Sequence, residues 1–302
     1  MIHNYDRSYE YQGRKIIDCK TCGFKHVFPY FTKEEVQEFY SSKYYHSVKP
    51  FPYDEVDDDF IKHKKESVIQ SKLYAEIYEK ITTLIGTSKK SLLDIGGGNN
   101  LLVYYFKNQG WEALSIEPNY QASEYLKKFG LYVFNGMIED YKTSDKFSFI
   151  NINYVLEHLR KPEEILKQLF ELTEPNGIIR VAVPNDFTIQ HYVYMHNCNA
   201  EPGWVTFPDH INYFTFESLH NLLVRVGYHE VYRTTNFPLD LLLACGIDYY
   251  NDSFYKENIG KYVKNFEKGL NNIGGFDYKR KLYDKLAEAG FGRVAIIYAI
   301  KN

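Results

Sequence analysis

The order of apolar and polar positions divides the chain into three zones. Residues 1–57 show no sustained period and read as irregular. From 58 to 85 apolar side chains return at roughly helical spacing (Ile61, Val68, Leu73, Ile77, Ile81), and Gly86 closes the pattern. Between 91 and 184 the texture changes to short apolar runs: SLLDI, EALSI, LYVFN, FSFINI and GIIRVAV. Amphipathic stretches at 101–109, 120–128 and 162–172 lie between them, and Pro175-Asn176-Gly177 marks a turn into the fifth run. Runs apolar on both faces and separated by helices predict a parallel sheet covered on both sides. Beyond Asn185 come a loop region with Pro202-Gly203 and Pro208, a helix at 217–226 and a strand at 230–234. A mostly helical segment then precedes a final strand at 293–300. The pattern predicts an α/β, Rossmann-like three-layer fold with a mostly parallel seven-stranded sheet. Residues 1–57 form an N-terminal cap, and 58–302 one domain with its core at 88–185. The C-terminal part, 186–302, carries a helical insertion at about 240–290.

Composition narrows the possibilities. Of 302 residues 44% are apolar and 25% charged, ordinary for a globular protein. A net charge of -3 gives no basic surface for nucleic acid, so none is expected as a partner. The first ten residues lack the apolar core of a signal peptide, and no apolar stretch approaches a membrane span, so a cytoplasmic protein without membrane contact is expected. Four cysteines with one Cys-x-x-Cys pair do not make a disulfide framework.

The chemistry concentrates after the first apolar run. SLLDI leads into Gly96-Gly97-Gly98 and a helix start, with Asn99 or Asn100 suited to cap it. Glycines permit backbone torsions and close ligand approach that a β-carbon would block. The third glycine of a dinucleotide fingerprint is Leu101 here, which argues against an NAD-dependent oxidoreductase or epimerase. Asp94, two residues before the turn, can orient it and meet an ammonium group. Glu117 ends the second run, where an acid can accept both hydroxyls of a ribose. A ligand with a ribose, a carboxylate and an ammonium group, but no phosphate, fits these parts.

In order along the chain, DIGGGNN, SIEPN, FNGMIEDY, NYVLEHLRKP and PNGIIRVAVPN resemble successive motifs of class I S-adenosylmethionine-dependent methyltransferases. The resemblance is to the subgroup acting on sugars and small metabolites, including sugar C- and O-methyltransferases. It extends through DHINYFTFESLHNLLVRVGY and FPLDLLLACGIDYY to GFGRVAIIYAIK, nearly the whole chain. It implies S-adenosylmethionine as cofactor, with Gly96, Gly97 and Gly98 beside the methionine moiety. Glu117 would then hold the ribose with Pro118 nearby, Met137 and Ile138 would edge the adenine, and Asn153 and Tyr154 would open onto the donor methyl.

A base for the acceptor proton is expected in His158 or His210, with Glu157 setting the tautomer or position of a histidine; they fall in LEH after the fourth run and in PDH after the fifth. Tyr44 and Tyr45 are candidates for the acceptor side. The expected reaction is methyl transfer to a small polar molecule, at oxygen in preference to carbon or nitrogen; by resemblance the acceptor is a sugar or nucleotide-linked precursor of a surface polysaccharide. A non-catalytic nucleotide-binding protein of the same fold is the alternative. Cys19 and Cys22, with His26 four residues on, make half a zinc knuckle; four donors close a structural site, so no metal is expected. The oligomeric state is not legible.

Overall fold

The computed structural model describes residues 2–302 apart from 33, 36, 37, 39–50, 87 and 88. Its centre is a seven-stranded sheet in the order β6-β5-β4-β7-β8-β11-β10. The strands are β4 (Ser91–Ile95), β5 (Glu112–Ile116), β6 (Tyr132–Phe134), β7 (Phe147–Asn153), β8 (Thr173–Pro184), β10 (His229–Thr234) and β11 (Val294–Ile300). β6, β5, β4, β7 and β8 run parallel, and β11 is antiparallel to both neighbours. The predicted runs coincide with these strands because β4 and nearly all of β7 are buried on both faces, which is why they read as continuous apolar segments.

Helices α1 (Asp58–Ile69) and α2 (Lys72–Ile85) replace the single helix read over 58–85. Asp57 caps α1, and Ser71 accepts the Tyr74 N–H to start α2. This interruption preserves the apolar spacing, so periodicity alone does not reveal it. With α3 (Leu102–Asn108) and α4 (Tyr120–Lys128), they cover one face of the sheet over Leu92, Phe149, Ile178 and Tyr298. On the other face, α5 (Pro162–Leu172) and α7 (Phe216–Val226) pack over Leu93, Ile150, Ile179 and Ile297.

The irregular reading of residues 1–57 is corrected over its first half. β1 (Tyr5–Tyr11), β2 (Arg14–Cys19) and β3 (Phe24–Phe28) form an antiparallel sheet whose fourth strand, β9 (Asn212–Tyr213), comes from far down the chain. Gln12-Gly13, both at positive φ, make the tight turn between β1 and β2. β1 lies at the sheet edge and is largely exposed, so its composition carries no core signal. Ile16, Val27, Tyr194 and Trp204 form a third apolar cluster joining this sheet to α6 (Ile189–Cys198), a helix that falls in the expected loop region.

The insertion before the last strand is helical, as expected: α8 (Leu239–Ala244) and α9 (Ser253–Glu288). Gly275, at φ 70° and ψ 175°, interrupts α9. The Tyr283 hydroxyl donates to Glu267 at 2.7 Å, sixteen residues back, so the two halves fold against each other. Among the described residues no helix is long and apolar enough to cross a membrane.

Candidate active site

The site lies at the carboxyl edge of the sheet, where β4 and β7 are neighbours and the strand order reverses. The chain leaves β4 through Gly96 (φ +69°) and Gly98 (φ +54°), torsions that glycine adopts without strain. A β-carbon on Gly96 would collide with the Val155 side chain, and one on Gly97 with the Ser115 hydroxyl. Asn100 shapes the entry to α3: its Oδ1 accepts from the Leu102 N–H (3.0 Å) and from the Tyr74 hydroxyl (2.9 Å).

Glu117 is buried at the end of β5. One carboxylate oxygen accepts the Gly98 N–H and the other the Asn119 N–H, each at 2.7 Å. Burial raises its carboxyl above the usual range, and these two amides oppose the rise. Each oxygen keeps capacity for another donor, as a ribose diol requires. Ile138 is buried, whereas Met137 and Pro118 are exposed.

Asp94 belongs to a polar row crossing the buried sheet. In register, Ser115, Asp94, Asn151, Arg180 and Tyr298 stand side by side on β5, β4, β7, β8 and β11. The Asn151 amide donates to Asp94 Oδ1 (2.6 Å), and Arg180 donates to Asn151 (2.8 Å), Asn153 (3.2 Å) and the Tyr298 hydroxyl (3.3 Å). Asp94 Oδ2 is buried without a hydrogen bond, facing Gly97. An orphaned carboxylate oxygen beneath the glycine turn fits a cationic ligand group there. Neither Asn151 nor Arg180 stands out in the sequence, although polar residues within otherwise apolar strands were the available signal.

Burial pushes the Asp94 carboxyl up to about 7, with Asn151 and Arg180 pulling the other way. Between about pH 4 and 7 the unfolded chain therefore releases a proton that the fold retains, and stability falls as pH rises through that window. Asp94→Asn is expected to raise the Tm of the ligand-free protein, with an advantage larger at pH 8 than at pH 5, while weakening cofactor binding. Thermal melts at both pH values test this; a pH-independent difference would remove Asp94 as its source.

Opposite the glycine turn, β7 ends at Asn153, and Tyr154 (φ +56°, partly exposed) turns the chain into the loop bearing Glu157 and His158. His158 Nδ1 lies 2.7 Å from the Asp209 carbonyl oxygen and 3.1 Å from its carboxylate. Both atoms are acceptors, so Nδ1 carries the hydrogen and the neutral ring keeps its lone pair on Nε2. That atom is 3.9 Å from Glu157 Oε1. Burial alone would lower the His158 pKa, but Asp209 and Glu157 outweigh it and the net shift is upward. The His210 ring packs edge-on at 4.9 Å; burial, then the neighbouring His158, holds its pKa at about 4. The structure thus brings Glu157, His158 and His210 together and adds Asp209, whose only sequence signal was adjacency to His210. Nearby, Arg293 pairs with buried Asp186 at 2.8 Å. Tyr44 and Tyr45 lie outside the described residues.

Residues 69–232, more than half of the chain, match a family described as a methyltransferase domain. The chain belongs to that family. It is an S-adenosylmethionine-dependent methyltransferase, and the sheet order described above is the Rossmann-like one expected of it. A curated relative, the ubiquinone biosynthesis O-methyltransferase of Rickettsia canadensis, is 26% identical over 161 residues, covering 50% of this chain and 68% of the relative. Similar solved structures include an S-adenosylmethionine-dependent methyltransferase from Archaeoglobus fulgidus (18% identity, TM-score 0.47, 81% of this chain and 100% of that one). Another is a putative sarcosine dimethylglycine methyltransferase from Galdieria sulphuraria (10% identity, TM-score 0.48, 88% and 98%). The orphaned Asp94 oxygen and the remaining acceptor capacity of Glu117 suit the methyltransferase's cofactor, with its ammonium group and ribose diol.

Proposed function

We propose that this methyltransferase methylates a hydroxyl of a small polar acceptor, with a sugar or nucleotide-linked sugar as the leading class. The carrying observation is the His158–Asp209 pair: a carboxylate-oriented imidazole, its other nitrogen carrying the lone pair, at the sheet edge where the cofactor loop ends. When bound, S-adenosylmethionine supplies an electrophilic methyl group on a sulfonium. His158 takes the acceptor proton at Nε2, Asp209 fixes the ring and stabilises the imidazolium, and the neutral His210 packs the ring in place. Glu157 adds negative charge that favours the protonated imidazole. Glu117 and Asp94 hold the cofactor, with Met137 and Ile138 on its adenine side and Asn153 and Tyr154 facing the reacting end.

The sugar class is favoured by the likeness of the segments after β8 to sugar methyltransferases. The named activity of the Rickettsia relative supports oxygen as the methylated atom and offers an aromatic hydroxyl as a second acceptor class. Labelled S-adenosylmethionine with panels of nucleotide-linked sugars and of catechols separates them. Transfer to sugar hydroxyls supports the proposal, transfer to catechols alone moves the acceptor to the aromatic class, and transfer only to nitrogen or carbon overturns O-methylation.

Cofactor binding has its own test. Glu117→Ala removes the acceptor pair for the ribose and is expected to cost about 1.5–3 kcal/mol of S-adenosylhomocysteine affinity. Calorimetry with a folded variant measures it, and an unchanged Kd removes Glu117 from the site.

A further inference from the structure

Well before the catalytic loop in the chain, the N-terminal sheet gathers four donors of the kind that bind soft metals. His3 precedes β1, Cys19 ends β2, Cys22 lies in the following turn and His26 is in β3. One ligand atom from each lies within 4.8 Å of the others. His3 Nδ1 is 3.5 Å from both Cys19 Sγ and Cys22 Sγ. With Zn–S about 2.3 Å and Zn–N about 2.0–2.1 Å, a tetrahedral site has N···S edges of about 3.5–3.6 Å.

The surroundings are those of a metal knuckle. The Cys22 N–H donates to Cys19 Sγ at 3.4 Å, and Gly23 (φ +79°) closes the turn with its N–H on the Cys19 carbonyl. His26 is fully buried, and its Nδ1 lies 2.9 Å from the Val27 carbonyl oxygen. A carbonyl only accepts, so Nδ1 holds the hydrogen and Nε2 carries the lone pair. That buried Nε2 has no hydrogen-bond partner. A backbone carbonyl that fixes the tautomer of an otherwise unpaired imidazole is the usual outer contact of a metal-bound histidine. The cysteine pair and His26 supply three donors in sequence; His3 is the fourth, at a distance along the chain that no spacing rule selects.

We propose that His3, Cys19, Cys22 and His26 hold one zinc ion in a closed structural site that also steadies the loop bearing Glu157 and His158. Two thiolates and two imidazoles in tetrahedral spacing favour zinc over oxygen-preferring cations. The link to the loop is short. Val27 N–H donates to the Ile211 carbonyl (2.9 Å), and Ile211 N–H donates to the Glu157 carbonyl (3.0 Å). His26 pairs with Asn212 across β3 and β9, and the Asn212 amide donates to the Leu156 and Leu159 carbonyls at 3.2 and 2.6 Å. The Tyr30 ring stacks on His26 at 4.7 Å while its hydroxyl donates to Asn212. The metal site stands apart from the proposed base; only the importance of that loop rests on the proposed function.

Elemental analysis of the full chain, purified under reducing conditions without chelator, is expected to find about one zinc per chain. Cobalt added to metal-stripped protein should give thiolate-to-metal charge-transfer absorption that Cys22→Ser removes. His3→Ala, at a partly exposed N-terminal position, should retain the fold by circular dichroism yet lower zinc content. Stripping zinc should speed hydrogen exchange at the Val27 and Ile211 amides and leave those of β4 and β5 unchanged. Wild-type protein with less than about a tenth of a zinc per chain and no cobalt absorption overturns the site, as does a Cys19–Cys22 disulfide in place of free thiols. Zinc present with unchanged exchange at Val27 and Ile211 overturns the link to the loop.

Discussion

His158→Gln is expected to lower kcat by about 10²–10⁴-fold while leaving S-adenosylhomocysteine affinity within a few-fold of wild type. The separation follows from geometry: His158 touches Asp209 and His210, whereas the cofactor residues lie on the β4 and β5 loops. Because its pKa is raised above the ordinary 6.5, activity should climb with pH through a limb lying above that value. The protonated ring cannot accept a proton, so the low-pH side is the inactive one. Asp209→Asn removes the orienting charge and should shift that limb to lower pH as well as reduce kcat, as expected of a positioning residue. His210→Ala should lose far less, since a ring with a pKa near 4 is a weak base. Turnover of His158→Gln within a few-fold of wild type, measured on the true acceptor, would place the base elsewhere or show that none is needed.

Gly96→Val attacks the cofactor loop and should abolish measurable cofactor binding. A β-branched residue at φ +69° adopts a left-handed torsion at a cost of about 1–2 kcal/mol. Its β-carbon also meets Val155 on the neighbouring loop, and relieving such overpacking costs a further 1–3 kcal/mol or so. Both penalties displace the turn whose Gly98 amide binds Glu117. Circular dichroism must accompany the calorimetry, because the same strain lowers stability. Gly98→Ala is the companion variant: its β-carbon would have only the Gly96 carbonyl oxygen near it, at 3.9 Å. At φ +54° it carries the left-handed cost of about 1–2 kcal/mol but no collision, so it should fold with that loss, and binding weakened beyond it reports ligand approach. Near-normal affinity in a folded Gly96→Val protein would show that the glycine turn is not the cofactor loop.

What could be read in the sequence followed from burial. Strands sandwiched between helices must be apolar on both faces, so β4, β5, β7 and β8 were visible as runs, and Glu117 stood out as an acid ending one. The N-terminal strands were hidden because β1 is a sheet edge and its neighbours face a small separate core. Asp209 and His3 were invisible for another reason. Asp209 acts on His158, 51 positions away, and His3 meets Cys19, Cys22 and His26 across an unpatterned segment, and such convergence is a property of topology. Asn151 and Arg180 sat in plain view, but a polar residue in an apolar run reads as noise until the strands are in register.

The β3–β9 pairing has a consequence for how the chain is made. Lys25 and His26 find their partners Tyr213 and Asn212 about 190 residues later. On a ribosome moving at roughly 5–20 residues per second, the first three strands wait on the order of ten to forty seconds for the fourth. During that time β3 presents an unpaired edge, the kind of surface on which newly made chains pair wrongly. A metal held entirely within the first 26 residues needs no distant partner, so it could shape this sheet before the rest of the protein has left the tunnel. Loop closure then joins an already ordered piece to the finished domain, and only the final strand addition has to span the long interval.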